Sequence, residues 1–269
     1  GILRQLADVY RKVRNTSRYL LGNLHDFNPA QDSVPVSDLP LLDRWMLQRT
    51  AEVMDEITAA FESYEFFRFF QLLQNYCVTD LSNFYLDIAK DRLYVNAPAD
   101  RRRRSCQTVM ALIIERLAGL ISPVLCHMAE DIWQNLPYSV GEVSVFQRGW
   151  PTVPQEWRDE TLSAPVQELR DLRAAVNKVL EECRSRQELG ASLESAVRIE
   201  ARKPELKSAL DWLRDNGDVE VDGLRDWLLV SQLQLGGEPW AELLASQDDA
   251  NAVIEVSRAR GIKCDRCWH

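Results

Sequence analysis

The sequence has 269 residues, of which 46% are hydrophobic and 27% are charged, and its formal net charge is −9. This composition excludes a disordered chain, and no apolar run reaches the roughly 18–20 residues that a membrane span requires. The negative net charge argues against a protein coated in nucleic acid. It leaves room for a local basic patch, because affinity for phosphate follows nearby charge rather than the total.

The first part of the chain, residues 1–150, is predicted to be an antiparallel bundle of amphipathic helices. The third predicted helix is the longest, and it is rich in aromatic residues. Ser37 or Asp38 is predicted to cap the second helix, and Ser122 the fifth, with Pro123 in its first turn. In chain order the helical patterns are "ILRQLADVYRKVRNTSRYLLGNL", "SDLPLLDRWMLQRTAEVMDEITAAFESY", "EFFRFFQLLQNYCVTDLSNFYLDIAKDRLY", "RSCQTVMALIIERLAGLI" and "SPVLCHMAEDIWQNLP".

The sequence pattern changes after an extended run, "EVSVF", and two prolines. These features predict a linker over residues 151–163 that lies against the bundle. A further helix, "APVQELRDLRAAVNKVLEECRSRQ", is followed by short β-like runs that alternate with helices. This alternation predicts a small α/β or α+β subdomain over residues 164–258, with residues 259–269 as a tail. The predicted fold is therefore mainly α, a helical bundle followed by a small mixed subdomain.

The first helix carries a basic face next to its leucines. At about 100° per residue, one sector of the helix holds Arg4, Arg11, Arg14, Asn15 and Arg18, and the leucines occupy the adjoining sector. Guanidinium groups bind phosphate oxygens through two hydrogen bonds, and an amide can read a base edge or a ribose hydroxyl. The alternative is a solvated face that neighbouring acids partly neutralise. The candidate residues are Arg11, Lys12, Arg14, Asn15 and Arg18.

A second basic block is predicted in the loop before the fourth helix. It consists of Arg101, Arg102, Arg103 and Arg104. Positive charge is slightly unfavourable at a helix start, so either phosphate or nearby acids such as Asp100 must favour it.

The segment "FYLDIAKDRLY" mixes aromatic and basic groups. Such groups can stack unpaired RNA bases, although aromatics in a helical pattern are more often part of a core.

The six cysteines fit a reducing cytoplasm better than a disulfide framework, because four of them are scattered singly in helical patterns. The remaining two, Cys264 and Cys267, have the spacing at which two thiolates can hold one zinc ion. The sequence contains no phosphate-binding GxxxxGK[ST] loop, no GxGxxG turn and no G-x-S-x-G elbow. These absences indicate recognition rather than covalent chemistry.

Five ordered motifs resemble the C-terminal region of bacterial isoleucyl-tRNA synthetases. They are "YRKVRNTSRYLLGNL", "FYLDIAKDRLY", "MAEDIWQNLP", "VNKVLEECRSRQELGASLESAV" and "GIKCDRCWH". The resemblance covers essentially the whole chain, and the last motif favours isoleucine over the valyl, leucyl and methionyl relatives.

The resemblance implies a class I enzyme that activates isoleucine with ATP, charges its tRNA and edits valyl mistakes. The family's H-I-G-H and K-M-S-K-S motifs do not occur in this sequence. We therefore expect the catalytic domain and the ATP site to lie elsewhere in a longer protein. That protein is expected to be a cytoplasmic monomer without a membrane segment. We expect the present piece to bind tRNA without catalysing a reaction. The resemblance gives the candidate residues of the first helix a role in tRNA contact. It makes Cys264 and Cys267 the first half of a zinc site whose second cysteine pair is expected beyond His269.

Two alternatives stay open. The first is that the chain comes from the anticodon-binding region of a valyl, leucyl or methionyl enzyme. The second is a helical interaction scaffold with an incidental C-x-x-C pair. RNA binding weakens steeply as salt rises, whereas an apolar protein contact does not, so salt dependence separates recognition of RNA from a scaffold.

Overall fold

The computed structural model describes residues 2–218 and 221–261, without the side chains of Ile2, Leu3 and Gln5. The chain divides into two compact units, Gly1–Asp159 and Glu160–His269. The predicted fold class is confirmed, because the first unit is helical and the second carries a four-stranded sheet with helices. Within the described ranges, no helix is long and apolar enough to cross a membrane.

The first unit is built from long helices with short connections. The sequence of elements is α1 (Ile2–Gly22), α2 (Pro29–Asp32), α3 (Leu41–Glu62), α4 (Phe66–Asn75), a π-helix (Tyr76–Tyr85), α5 (Leu86–Tyr94), α6 (Arg101–Ile121) and α7 (Cys126–Gln134). From α4 to α5 the helical path is unbroken, which agrees with the single long helix predicted there. The apolar face of each helix fills the core, and Leu20, Met46, Leu73 and Ile113 are completely buried.

Several local predictions were wrong. Pro40, not Ser37 or Asp38, is the N-cap of α3. Ser122 ends α6 rather than starting α7, because its hydroxyl donates to the Gly119 carbonyl at 2.9 Å.

Two further corrections concern single segments. The predicted extended run contains a 3₁₀ turn at Val145–Gln147. The Arg101–Arg104 block is not in a loop, since it forms the first turn of α6 behind the N-cap Asp100.

The segment that follows α7 is held against the bundle, and residues 151–159 of the predicted linker belong to the first unit. Trp157 is 2% exposed, and the Arg116 guanidinium lies 5.2 Å from the centre of its ring. Arg158 binds both carboxylate oxygens of Asp55, at 2.8 and 3.1 Å. The boundary between the units, after Asp159, falls inside the predicted linker.

The second unit combines three α-helices with a four-stranded mixed sheet. Its elements are α8 (Ser163–Ser185), β1 (Ser195–Ala201), α9 (Pro204–Asn216), α10 (Leu224–Leu228), β2 (Gln232–Leu235), β3 (Ala245–Asp248) and β4 (Ala252–Arg258). The strand order is β2-β1-β4-β3, in which only β1 and β2 are parallel. Val176 of α8 joins Val197 and Ile254 of the sheet in one buried cluster.

Candidate nucleic-acid interface

Helix α1 separates its apolar and basic residues cleanly over its second half. Val13, Leu20 and Leu24 are completely buried. The predicted contact residues Arg11, Lys12, Arg14, Asn15 and Arg18 are all exposed. At the start of the helix the separation fails, since Leu6 and Tyr10, whose spacing predicts burial, are 47% and 44% exposed.

Most of these exposed groups are available to a ligand. Arg11 forms an exposed ion pair with Asp8 at 3.2 Å, which contributes little in water. Within the residues that the structure describes, Lys12, Arg14, Asn15 and Arg18 make no side-chain hydrogen bond or ion pair. No acid among the described residues is therefore paired with these four side chains.

An open groove of about 380 Å³ runs between α1 and the helix that continues from the π-helix into α5. Lys12, Asn15 and Tyr19 line it from α1. The opposite wall contains Val78, Ser82, Asn83, Leu86 and Lys90. The side chains that line the groove combine apolar groups with two amides and two ammonium groups, and no carboxylate is among them. One of the two ammonium groups, that of Lys90, is paired with the Asp87 carboxylate at 2.5 Å.

The π-helix is held to α1 by hydroxyl groups. The Ser82 hydroxyl donates to the Cys77 carbonyl, five residues earlier, at 2.8 Å. It also lies 3.2 Å from the Thr16 hydroxyl of α1. The π-helix itself is defined by backbone hydrogen bonds between residues five positions apart, such as the one from the Leu86 N–H to the Leu81 carbonyl. Stretches with this backbone pattern are rare in proteins and are frequent at functional sites. A period of 3.6 residues does not reveal such a segment, which is why Ser82 and Asn83 were missed in the sequence.

The second basic block has a different environment. The Arg103 guanidinium binds the two carboxylate oxygens of Asp26, at 2.6 and 2.9 Å, and its side chain is 9% exposed. Arg104 donates to the Asp26 carbonyl at 2.9 Å and to the Gln107 side chain at 2.8 Å. The Arg103 hydrogen bonds hold the pKa of Asp26 well below its usual range.

The first two arginines of the block also have partners in the chain. Arg102 binds both oxygens of Asp100, at 3.0 and 2.7 Å, and this contact lowers the pKa of Asp100. Arg101 donates to the Asp38 carbonyl at 2.5 Å. Nearby acids, one of the two explanations left open, thus bind Arg102, Arg103 and Arg104, whereas the partner described for Arg101 is a main-chain carbonyl. A role of the block in RNA contact stays a prediction.

Comparison of the sequence with known protein families identifies the family of this chain. The family described as the anticodon-binding domain of tRNA ligase matches residues 43–200 of the chain, more than half of its length. The chain belongs to this family.

Three relatives of this anticodon-binding domain are similar over all 269 residues. They are the isoleucine–tRNA ligases of Parasynechococcus marenigrum (strain WH8102), Prochlorococcus marinus (strain MIT 9313) and Synechococcus sp. (strain CC9311), at 84%, 78% and 77% identity. The chain spans 28% of the length of each relative. The resemblance predicted from the five motifs is confirmed.

In the anticodon-binding domain, most of the mixed aromatic and basic segment is core. Tyr85 donates to Asp43 at 2.7 Å, and Arg92 binds both oxygens of the same carboxylate at 2.9 Å. Asp43 is completely buried. Burial raises the pKa of Tyr85 well above its usual value, so the phenol stays neutral. Of the aromatic and basic residues in this segment, Lys90 and Tyr94 are exposed and the others are buried.

The predicted metal ligands Cys264 and Cys267 lie outside the residues that the structure describes. Among the described residues, no group of three or more His, Cys, Asp or Glu side chains is arranged to hold a metal ion. Cys183 is buried in the core of the second unit, among apolar side chains. The zinc site therefore stays a prediction.

Proposed function

We propose that this chain is the tRNA-binding part of an isoleucine–tRNA ligase, and that the exposed face of α1 contacts the anticodon arm. The observation that carries the proposal is a set of exposed groups that have no partner among residues 2–218 and 221–261, namely Lys12, Arg14, Asn15 and Arg18. They stand on one helix of a chain whose net charge is −9. Membership of the anticodon-binding family supports the same ligand.

The chemistry of the face suits an RNA backbone with unpaired bases. Guanidinium groups bind phosphate oxygens bidentately, and each such contact releases condensed counterions on binding. An amide on the same face adds a donor and an acceptor for a base edge. We therefore propose that the arginines position the RNA and that Asn15 contributes to its recognition.

At the level of the whole protein, we propose ATP-dependent attachment of isoleucine to its tRNA. The names of the relatives support this activity, and their length leaves room for the catalytic machinery outside the present chain. In this proposal the ligase is a monomer of the cytoplasm, and ATP and isoleucine bind outside the 269 residues. The present chain supplies tRNA recognition.

We also propose that Cys264 and Cys267 supply two thiolates to a structural zinc site, with further ligands completing a tetrahedral set. The C-x-x-C spacing supports this proposal. Metal content by mass spectrometry of the full-length ligase, compared with its Cys264→Ser variant, tests it. Equal zinc in both proteins would contradict the assignment.

The test of tRNA recognition is fluorescence anisotropy with an isoleucine tRNA and with the same tRNA carrying a different anticodon. Both titrations are repeated across a series of salt concentrations, because the slope of log affinity against log salt counts phosphate contacts. We expect tighter, salt-sensitive binding to the matching anticodon. Absence of binding at low salt, by a chain shown to be folded, would contradict the proposal.

A further inference from the structure

Exposed aromatic side chains gather at the turn between α3 and α4. Tyr64 and Phe67 are 79% and 77% exposed, and Phe66 is half-exposed between them. The centre of the Phe66 ring lies 6.2 Å from that of Tyr64 and 5.7 Å from that of Phe61. Phe61 in turn contacts Trp150, with ring centres 5.2 Å apart. We call these five side chains the aromatic patch.

The aromatic patch lies at the end of the bundle where α1 begins. Thr16 of α1 is 3.2 Å from Ser82. Further along α1, Tyr19 lies beside Tyr94, so α1 and the continuous helix from α4 to α5 run in the same direction. The two therefore begin at one end of the bundle, where α1 also leaves its first described apolar side chains exposed.

The opposite end of the bundle has a different surface. Asp26, just after α1, pairs with Arg103, and Asp100 pairs with Arg102 in the first turn of α6. Such ion-paired groups are well solvated, whereas a contiguous exposed apolar patch usually marks an interface with another surface. This asymmetry indicates that the aromatic patch is covered in the whole protein.

The charges around the patch favour a protein surface over RNA. Residues 61–70 contain two acids, Glu62 and Glu65, and one base, Arg68, which pairs with Glu65 at 3.4 Å. A segment with a surplus of negative charge repels phosphates, which bind where positive charge is in excess. An apolar protein surface fits the patch better, because contact with it removes the aromatic rings from water.

We propose that the aromatic patch, together with Leu6 and Tyr10 of α1, is the docking surface for the catalytic part of the same ligase. The chain spans 28% of the length of its three relatives, so most of such a protein lies outside the present 269 residues. Any segment that precedes α1 in the parent protein would join the bundle at this end. Contacts between domains of one chain usually bury a surface of moderate size, which a patch of this kind can supply.

The inference rests on the proposed function, because it takes the parent protein to be the ligase. It goes beyond tRNA recognition, since it assigns a contact that holds the anticodon-binding domain in a fixed position relative to the rest of the enzyme. The basic face of α1 and the aromatic patch then have separate roles, one toward RNA and one toward protein.

Photocrosslinking in the full-length ligase, without tRNA, tests the proposal. With p-benzoylphenylalanine in place of Phe67, irradiation should join this position to a peptide from outside the 269 residues, identified by mass spectrometry. Tyr94 is the control position, because it is an aromatic residue at the opposite end of the bundle and is 63% exposed. The same probe there should not join that peptide. Crosslinking from position 67 only to a second copy of the ligase, or to no peptide outside the present chain, would overturn the proposal.

Thiol labelling supplies a second measurement with a small probe. In the full-length ligase, Phe67→Cys should react with a maleimide about tenfold more slowly than Tyr94→Cys, because thiol reactivity depends on access. Peptide mapping by mass spectrometry follows each position separately from the native cysteines. The exposed fractions within this unit predict the opposite order, since Phe67 is the more exposed of the two. Labelling of Phe67→Cys as fast as Tyr94→Cys would show that the patch is open to solvent, against the proposal.

Neither measurement requires tRNA, so the outcomes separate the two proposals. If both measurements fail while the ligase binds tRNA in an anticodon-dependent manner, the docking surface is wrong and the proposed function stands. If crosslinking and slow labelling are observed but the ligase does not bind tRNA, the docking surface stands and the proposed role in tRNA recognition fails.

Discussion

Arg103 of α6 binds Asp26, the residue four positions after the end of α1, through both of its carboxylate oxygens. The Arg103 side chain is 9% exposed and that of Asp26 is 27% exposed, so solvent screens the pair only partly. The contact joins the C-terminal end of α1 to the first turn of α6. It therefore fixes the end of the helix that carries the basic face.

This pair predicts a loss of stability in acid. Because the pKa of Asp26 is lower in the folded state than its ordinary value of 3.8, its stabilising effect is complete above that value and is lost as the pH falls through the folded-state pKa. Asp26→Asn should lower the free energy of unfolding by about 2–3 kcal/mol at pH 7. Urea unfolding from pH 7 to pH 2 measures both effects. A variant that loses as much stability below pH 4 as the unchanged protein would contradict this assignment.

The buried network around Asp43 should contribute more than the Asp26 pair. Asp43→Asn leaves the Arg92 charge buried without its counterion, and we expect a loss of about 3–5 kcal/mol. Tyr85→Phe keeps that ion pair and removes one hydrogen bond, which should lower the free energy of unfolding by about 1–2 kcal/mol. Chemical denaturation followed by circular dichroism measures both.

Asp55→Asn is the control for this comparison, since Asp55 lies on the same helix and pairs with Arg158 at the surface. Asp55→Asn should lower the free energy of unfolding by no more than about 1 kcal/mol. If Asp43→Asn and Asp55→Asn lower the free energy of unfolding equally, burial does not determine how much these ion pairs stabilise the fold.

The basic face predicts a specific change in salt dependence. Arg14→Ala and Arg18→Ala should each weaken tRNA binding and reduce the slope of log affinity against log salt by about 1, because each removes one phosphate contact. The thermal midpoint should not change, since both side chains are exposed and have no partner in the described part of the chain. Arg214→Ala, an exposed arginine of the second unit that pairs with Asp211, serves as control and should leave the slope unchanged. An unchanged slope in Arg14→Ala would remove that residue from the interface.

Thiol reactivity provides a test of the packing. Burial raises the pKa of Cys77 and of Cys106 to about 12, and Cys183 is also buried, whereas Cys126 is exposed at the start of α7. In a protein with Cys264→Ser and Cys267→Ser, an aromatic disulfide reagent at pH 8 should label Cys126 quickly. The other three should react only on unfolding, because a buried thiol forms little thiolate. Rapid labelling of more than one thiol per chain would contradict the described core.

The sequence predicted what depends on local periodicity. The spacing of Val13, Leu20 and Leu24 was enough to place the basic residues of α1 on an exposed face, because an α-helix repeats every 3.6 residues. Helix starts were less predictable. Ser122 can cap a helix that follows it or end the one before it, and only its contact with the Gly119 carbonyl decides between them.

The periodicity of the sequence does not predict contacts between residues that are far apart in the chain. The partners of Arg103 and Arg104 include Asp26 and Asp32, more than 70 positions earlier, so the sequence left open whether phosphate or acids compensate the basic block. Asn83 was missed for a related reason. Its place opposite α1 depends on the hydrogen-bond pattern of the π-helix, which leaves no periodic signature in the order of residues.

The π-helix also sets the angular phase of α5. Each residue turns an α-helix by about 100°, and an i→i+5 stretch fits extra residues into the same path. Deleting one residue between Cys77 and Ser82 would restore a regular helix, yet it would rotate Arg92 away from Asp43. The groove wall and the buried ion pair thus depend on the same irregularity. The shape of the groove is therefore coupled to the stability of the core.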